Sequence, residues 1–231
     1  MNSKLLLAAF TGFVFVRCSE PKMDNTVPHD MSHSDKLNQP SMIEINVAKE
    51  NTIKNMQDAY KGEITAVAKY TAFSKKASEE KYPLVALLYK AVALAESIHA
   101  KNHKAVIEAS GATVPVITPE YVVKLTKENL HDDIEGEAYE GNTMYPNFLK
   151  VAKEAENNEA FVSLTYAMKT ENKHKLFFEK ALGDINSNTL LSLPSVYFVC
   201  PVCGDTYETK APNHCDFSNT SKEQFIKINS L

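Results

Sequence analysis

The sequence predicts a mainly α-helical protein: an antiparallel four-helix bundle with one long crossover, followed by a small β-rich module built around a metal knuckle. Three observations carry this reading. Glycine accounts for 7 of 231 residues, less than half the usual share of about 7%, as in a chain with few tight turns. Four long segments repeat apolar residues at alternating steps of three and four, which draws a stripe along one face of a helix. Cys200, Cys203 and Cys215, three of the four cysteines, crowd into a short C-terminal stretch, a spacing that suits a metal site or redox pair better than a disulfide framework. With 25 basic and 29 acidic side chains the net charge is −4, which leaves no electrostatic footprint for nucleic acid. The hydrophobic share of 44% is enough for a real core and too high for a disordered chain.

Residues 1–18 read as an export signal. Lys4 precedes an apolar run from Leu5 to Val16, too short to span a bilayer but right for the centre of a signal peptide. Cys18 directly after it suggests a lipoprotein signal whose cysteine carries a lipid anchor, although Arg17 stands where such processing favours a small residue; a plain secretory signal is the alternative. The protein is therefore expected to be exported, periplasmic or membrane-anchored in a bacterium. Residues 19–45, polar and holding Pro21, Pro28 and Pro40, are expected to form a flexible tether. His29, Met31 and His33 within it read as solvated side chains rather than ligands.

The bundle is expected over residues 46–185. The first stripe runs Ile53, Met56, Tyr60, Glu63, Val67, Tyr70. The second opens near Pro83, which suits a first helical turn, and runs Val85, Tyr89, Val92, Glu96, His99, His103, Val106 before Gly111 stops it. The third is expected to start after Thr118-Pro119 with Thr118 as cap, to turn Leu130, Glu137, Glu140, Met144, Phe148 and Val151 inward, and to be kinked or interrupted at Pro146. The fourth is expected from about Asn158 to Leu182, ending at Gly183, with Phe161, Leu164, Met168, Glu171, His174, Phe178 and Leu182 inward. The extended stretch from Gly111 to Pro119 is long enough to serve as the crossover of a ferritin-like bundle.

Five glutamates thus interrupt apolar seams in which no lysine or arginine stands. Each buried unpaired carboxylate costs several kcal/mol, so something cationic must compensate them. Glutamate and histidine converging from four helices leave metal ions as the natural source, and hard oxygen with imidazole suits iron or manganese. A glutamate from each of two helices, here Glu63 and Glu137, with a Glu-x-x-His pair from each of the other two, here Glu96 with His99 and Glu171 with His174, is the ligand pattern of di-iron and di-manganese bundles. A single Glu-x-x-His arises easily by chance on a solvated face; the joint pattern in register does not. His103, one turn from His99, reads as a buried or supporting histidine.

Residues 186–195 read as a linker and 196–231 as the terminal module. Val196 to Val199 alternates like a short strand leading into Cys200-Pro-Val-Cys203-Gly204, and a second knuckle follows at Ala211 to Ser218. At this point the chain resembles the rubrerythrins, which join a ferritin-like di-iron bundle to a C-terminal rubredoxin-like iron site. The resemblance rests on Gly62-Glu63 with Tyr70 following, Glu96-Ser-Ile-His99-Ala-Lys101, Gly136-Glu137-Ala-Tyr-Glu140 before Met144-Tyr145-Pro146, Glu171-Asn-Lys-His174 and the cysteine knuckle.

The resemblance implies a bundle ligand set of Glu63, Glu96, His99, Glu137, Glu140, Glu171 and His174 around two iron ions, with Glu140 exchanging for His99 on oxidation. It implies hydrogen-bonding roles for Tyr70 and Tyr145 and a peroxidase that reduces hydrogen peroxide to water. Electrons from an unidentified donor would pass through the terminal site, often across a head-to-tail homodimer. The departure is Ser218, where the fourth thiolate is expected: either iron is held by Cys200, Cys203, Cys215 and a substitute (Ser218, His214, Asp216 or water), or zinc fills a structural site. A ferroxidase, or a non-enzymatic iron-binding or redox-sensing protein, is the rival reading.

Overall fold

The computed structural model describes residues 41–189 and 192–231; the expected export signal and nearly all of the expected tether lie outside them. Helix α1 spans Met42–Glu79, α2 Pro83–Ala109, α3 Thr126–Tyr139, α4 Tyr145–Glu154 and α5 Asn158–Ser187. A π-helical turn, Glu140–Met144, joins α3 to α4, so that the three together form the third rod of the bundle. Strands β1 (Tyr197–Val199), β2 (Thr206–Glu208) and β3 (Ile226–Ile228) make an antiparallel sheet in the order β2-β1-β3.

Local chemistry fixes most helix ends. Ser41 and Glu44 form a capping box, the Ser41 N–H donating to Glu44 Oε2 at 2.7 Å, so α1 begins within the stretch read as tether. Pro83 opens α2 and Gly111, at φ +76°, follows its end. Asn157 caps α5 by accepting from the Ala160 N–H at 2.9 Å.

Three local expectations are corrected. The third rod starts at Thr126, not after Thr118-Pro119: Asn129 Oδ1 accepts from the Lys124 N–H, Glu128 Oε2 from the Leu125 N–H and Glu80 Oε2 from the Thr126 N–H, while the β-branched pair Val122-Val123 favours extended chain. At Pro146 the rod is interrupted as expected: the π-turn ends at Met144 and α4 opens at Tyr145, which places Pro146 in a first turn where its missing N–H is not needed. Helix α5 runs through Gly183 to Ser187 and stops at Asn188, a left-handed cap at φ 58°. Phe161 is 38% exposed rather than inward.

The core has two apolar parts within the bundle. One gathers Tyr70, Phe73, Tyr89 and Phe178, the Tyr89 and Phe178 rings 5.3 Å apart; the other gathers Met56, Tyr145, Leu164 and Ala167. Glu63, Glu96 and Glu171 fall between residues of the two parts along α1, α2 and α5, so the polar site is closed above and below by packed side chains. Tyr197 and Val199 of β1 join the first part, and the Asn102 side chain donates to the Val202 carbonyl at 2.9 Å. The module is thereby seated on the bundle.

Candidate metal centre

Glu63, Glu96, Glu137 and Glu171 are each 3% exposed or less, as are His99 and His174. Their donor atoms fall into two overlapping groups, Glu63, Glu96, His99 and Glu171 in one and Glu96, Glu137, Glu171 and His174 in the other, with the atoms of each group within 4.8 Å of one another. Glu96 and Glu171 belong to both. Glu96 Oε2 lies 2.8 Å from His99 Nδ1 and Oε1 lies 3.1 Å from His174 Nδ1; Glu171 repeats this with Oε1 at 3.1 Å from His99 and Oε2 at 3.0 Å from His174. Each shared carboxylate therefore presents one oxygen to each half of the site, the arrangement by which a carboxylate bridges two metals.

The outer carboxylates are each tied to a tyrosine. Tyr70 donates to Glu137 Oε1 at 2.6 Å, and Tyr145 donates to Glu63 Oε1. His103 stands behind Tyr145, with Nε2 3.3 Å from the phenol oxygen and Nδ1 2.8 Å from Ser163 Oγ. Burial, then repulsion from His99, drives the His103 pKa down to about 3 even though Glu63 Oε1 lies 3.7 Å from its Nε2, so it stays neutral.

Electrostatics expose what the cluster lacks. Burial, then repulsion from Glu96 and Glu171, raises Glu63 well above the ordinary carboxylate value; burial, then Glu171 and Glu96, raises Glu137 likewise and takes Glu140 to about 8. Burial opposes charge on the histidines too, but Glu171, Glu96 and Glu63 lift His99, and Glu96 and Glu171 lift His174 to about 9. Protons thus stand where cations belong. Despite these close approaches, Glu137 Oε2, both Glu171 oxygens and His174 Nδ1 make no aligned hydrogen bond, an expensive condition for buried polar atoms unless an ion fills the gap. Carboxylate oxygen with imidazole fits iron or manganese.

Glu140 stands apart from both donor groups. It opens the π-turn, where the Tyr145 N–H donates to the Glu140 carbonyl five residues back, and it lines a cavity of about 400 Å³ with Tyr70, Lys69, Tyr121 and Gly136. Gly141 lets this turn lie close to α5, since a Cβ there would meet Asn172 Oδ1 at 2.8 Å.

The terminal module adds a second cluster. Cys200, Cys203 and Cys215 are buried free thiols with all three sulfurs within 4.8 Å of one another, and Ser218 Oγ lies 3.2 Å from Cys200 Sγ. The module meets the bundle at the histidines: His99 Nε2–H donates to the Cys203 carbonyl at 3.1 Å, and His174 Nε2 lies 3.5 Å from Thr206 Oγ1. Binding the outer nitrogen leaves the Nδ1 lone pair of His99 aimed at the carboxylates, the tautomer a metal ligand needs. Gly204 permits this approach, because a Cβ would lie 2.4 Å from His99 Nε2.

Comparison with known proteins agrees with this geometry. The Rubrerythrin family profile matches residues 54–182. Rubrerythrin-2 of Clostridium acetobutylicum is 32% identical over 171 residues, 74% of this chain and 92% of that protein. The chain belongs to the rubrerythrin family. Nigerythrin of Nitratidesulfovibrio vulgaris is 31% identical over 177 residues, 76% of this chain and 85% of nigerythrin. The structure of fully reduced, all-ferrous nigerythrin superposes with a TM-score of 0.67 at 32% identity, covering 76% of this chain and 86% of that one. The module thus belongs to a rubrerythrin fold that joins a helical bundle to a small cysteine-bearing sheet.

Sequence reasoning missed several residues of this rubrerythrin. Asp133, 1% exposed, is a further buried carboxylate, and it has a cation: Lys69 Nζ lies 2.9 Å away, with Tyr89 donating to the other oxygen at 2.8 Å. Asp133 stands one turn before Glu137 on the same stripe, so helical spacing could have found it; Lys69 could not be found, since it reaches the site from the flank of α1. Lys173 and Asp205, 2.5 Å apart, tie α5 to the module, a pairing no local pattern encodes.

Proposed function

We propose that this protein is a non-haem di-iron peroxidase that reduces hydrogen peroxide to water with electrons delivered through its terminal cysteine site. The hydrogen bond from His99 to the Cys203 carbonyl carries the reading: it joins a thiolate cluster to the bundle site by one contact, which iron storage does not require and an electron relay does. Iron bound in the bundle supplies the two electrons that convert peroxide and two protons into two waters.

The chain's own residues do the rest. Glu96 and Glu171 set the spacing of the two halves, and Glu63 and Glu137 are held in place by Tyr145 and Tyr70. The cavity beside Tyr70 gives a small oxidant a route to Glu140, whose carboxyl at the cavity edge is positioned to carry a proton to a departing oxygen. Ser163, His103 and Tyr145 form a hydrogen-bonded file that ends at Glu63 and offers a second proton route from the opposite apolar layer. The packed rings of Phe73, Tyr89 and Phe178 close the side of Tyr70 away from this cavity.

Rapid mixing of the reduced protein with hydrogen peroxide or oxygen tests the reading. Peroxide is expected to oxidise it much faster. Equal rates, or mineral growth with excess ferrous iron, would identify a ferroxidase instead. We further propose, from the apolar run before Cys18, that the protein is exported; cell fractionation with radiolabelled fatty acid checks both export and lipidation.

A further inference from the structure

The two knuckles of the module repeat one backbone pattern. In the first, the Gly204 N–H donates to the Cys200 carbonyl at 3.0 Å, Gly204 is left-handed at φ +80°, and the Cys200 N–H donates to the Asp205 carbonyl at 2.9 Å. In the second, the Asn219 N–H donates to the Cys215 carbonyl at 3.0 Å, Asn219 is left-handed at φ +58°, and the Cys215 N–H donates to the Thr220 carbonyl at 2.8 Å. Cys200, Cys203, Gly204 and Asp205 therefore correspond to Cys215, Ser218, Asn219 and Thr220. By this correspondence Ser218 stands where Cys203 stands in the other half, and its oxygen lies 3.2 Å from Cys200 Sγ, an edge length suited to a tetrahedron around one metal.

The other oxygen and nitrogen donors nearby are committed or turned away. Asp216 is exposed and tied to Tyr207, its N–H donating to the phenol oxygen at 2.9 Å and its Oδ2 accepting at 3.2 Å. His214 is exposed on a bridge to Ser221. Asp205 comes within 3.8 Å of Cys215 Sγ but is held by Lys173 at 2.5 Å. The Tyr207 hydroxyl, 3.7 Å from Cys215 Sγ, is tied to Asp216. Among the described residues Ser218 Oγ lies nearer a sulfur than these and has a partner that suits a ligand oxygen: Thr220 Oγ1, itself 7% exposed, lies 2.7 Å from Ser218 Oγ.

We propose that Ser218 Oγ is the fourth ligand of a three-sulfur, one-oxygen iron site, with the Thr220 hydroxyl donating a hydrogen bond to the bound serine oxygen. The assignment deepens the peroxidase reading and rests on it only for the purpose of the electrons. On coordination Ser218 releases its hydroxyl proton to solvent, as the three thiols release theirs. An anionic oxygen is harder than sulfur and favours ferric over ferrous iron, so the one-electron couple of this site lies lower than that of a four-thiolate site and its electron is given up more readily. Thr220 moderates this by drawing charge from the serine oxygen.

The experiment uses the full chain loaded with ferrous iron and oxidised, and reads iron per chain, the visible thiolate-to-iron absorption, which only the cysteine site can produce, and the midpoint potential of that chromophore. Wild type is expected to hold one iron beyond the bundle pair. Ser218→Cys is expected to shift the absorption to that of a four-thiolate site and to raise the potential. Ser218→Ala is expected to lose the terminal iron while keeping the bundle pair, and Thr220→Val to weaken it about 10- to 100-fold and lower the potential. Zinc in place of iron at the wild-type site, or a Ser218→Ala chain with unchanged absorption and iron content, overturns the proposal. Ser218→Cys decides independently of any folding defect in the alanine variant, since a spectrum superposable on wild type would mean that Ser218 is not a ligand. None of these readouts involves peroxide, so a chain with the expected spectra and no peroxidase turnover upholds the ligand and overturns only the function.

Discussion

The bundle and the cysteine module are each built from two halves that repeat one another's chemistry, and each breaks the pairing at one place. In the bundle, Glu63 with Tyr145 answers Glu137 with Tyr70, and Glu96 with His99 answers Glu171 with His174; the unmatched residue is Glu140, on a π-turn facing a cavity. In the module, the Cys200 knuckle answers the Cys215 knuckle, and the mismatch is Ser218 against Cys203. Repetition supplies the charge and geometry that any metal needs. The unmatched residue is where reactivity is adjusted: Glu140 adds a carboxylate where a substrate can arrive, and Ser218 replaces sulfur with oxygen where an electron must leave.

The two regions also differ in how their donors are brought together. The module draws its donors from Cys200 to Ser218, through turns that short local hydrogen bonds hold. The bundle draws its donors from three long helices and a broken fourth rod, and it sustains them only while the helices pack. Replacing both Glu96 and Glu171 with Ala removes the carboxylates shared by the two halves, so stoichiometric bundle iron is expected to vanish while the visible absorption of the cysteine site persists. Two irons retained in the bundle, or joint loss of both chromophores, would break the distinction between the regions.

A pH titration sharpens it further. In the metal-free chain Glu140 is held at about 8 against its ordinary 4.5, first by burial, and His174 at about 9 against 6.5, where Glu96 and Glu171 overcome burial. Both bind protons more tightly folded than unfolded. Their contribution is full below about pH 4.5 and 6.5 respectively and is lost as pH rises through about 8 and 9, so the metal-free protein is expected to lose a few kcal/mol of stability, in order of magnitude, between pH 6 and 9. Iron takes over the role of those protons, and the loaded protein should show little of this loss while releasing protons as it binds. Urea unfolding at each pH, with and without iron, measures the difference; parallel profiles would mean that the bundle carboxylates do not hold the metal.

The smallest expected effect lies at the seam between the regions. Gly204→Ala forces a Cβ against His99 Nε2 in a backbone conformation at φ +80°, which is expected to cost about 1–3 kcal/mol. It should leave both metal contents intact and slow the oxidation of the cysteine site by peroxide-treated bundle. Unchanged single-turnover kinetics would show that electrons do not pass through this contact.

Much of the bundle was legible because helical periodicity is a local property, and a glutamate in an apolar stripe is conspicuous at any position. Glu63, Glu96, His99, Glu137, Glu171 and His174 could be named from spacing alone, whereas Glu140 entered the ligand set only through the resemblance, and its place depends on the π-turn. Within that turn Gly141 packs closely against Asn172 of α5, a contact that no window of sequence contains. The start of α3 was hidden for the same reason, since Glu80 from a distant helix end helps to cap it.

The sequence by itself determined which residues are chemically able to bind metal and on which helical face they stand, because side-chain type and the 3.6-residue repeat are written into the chain. Only the tertiary structure decided which donors are shared, that Lys69 neutralises Asp133, and that the module seats a backbone carbonyl on His99. Those are relations between surfaces of different elements. They arise when packing excludes water and leaves each buried charge to find the one partner within reach.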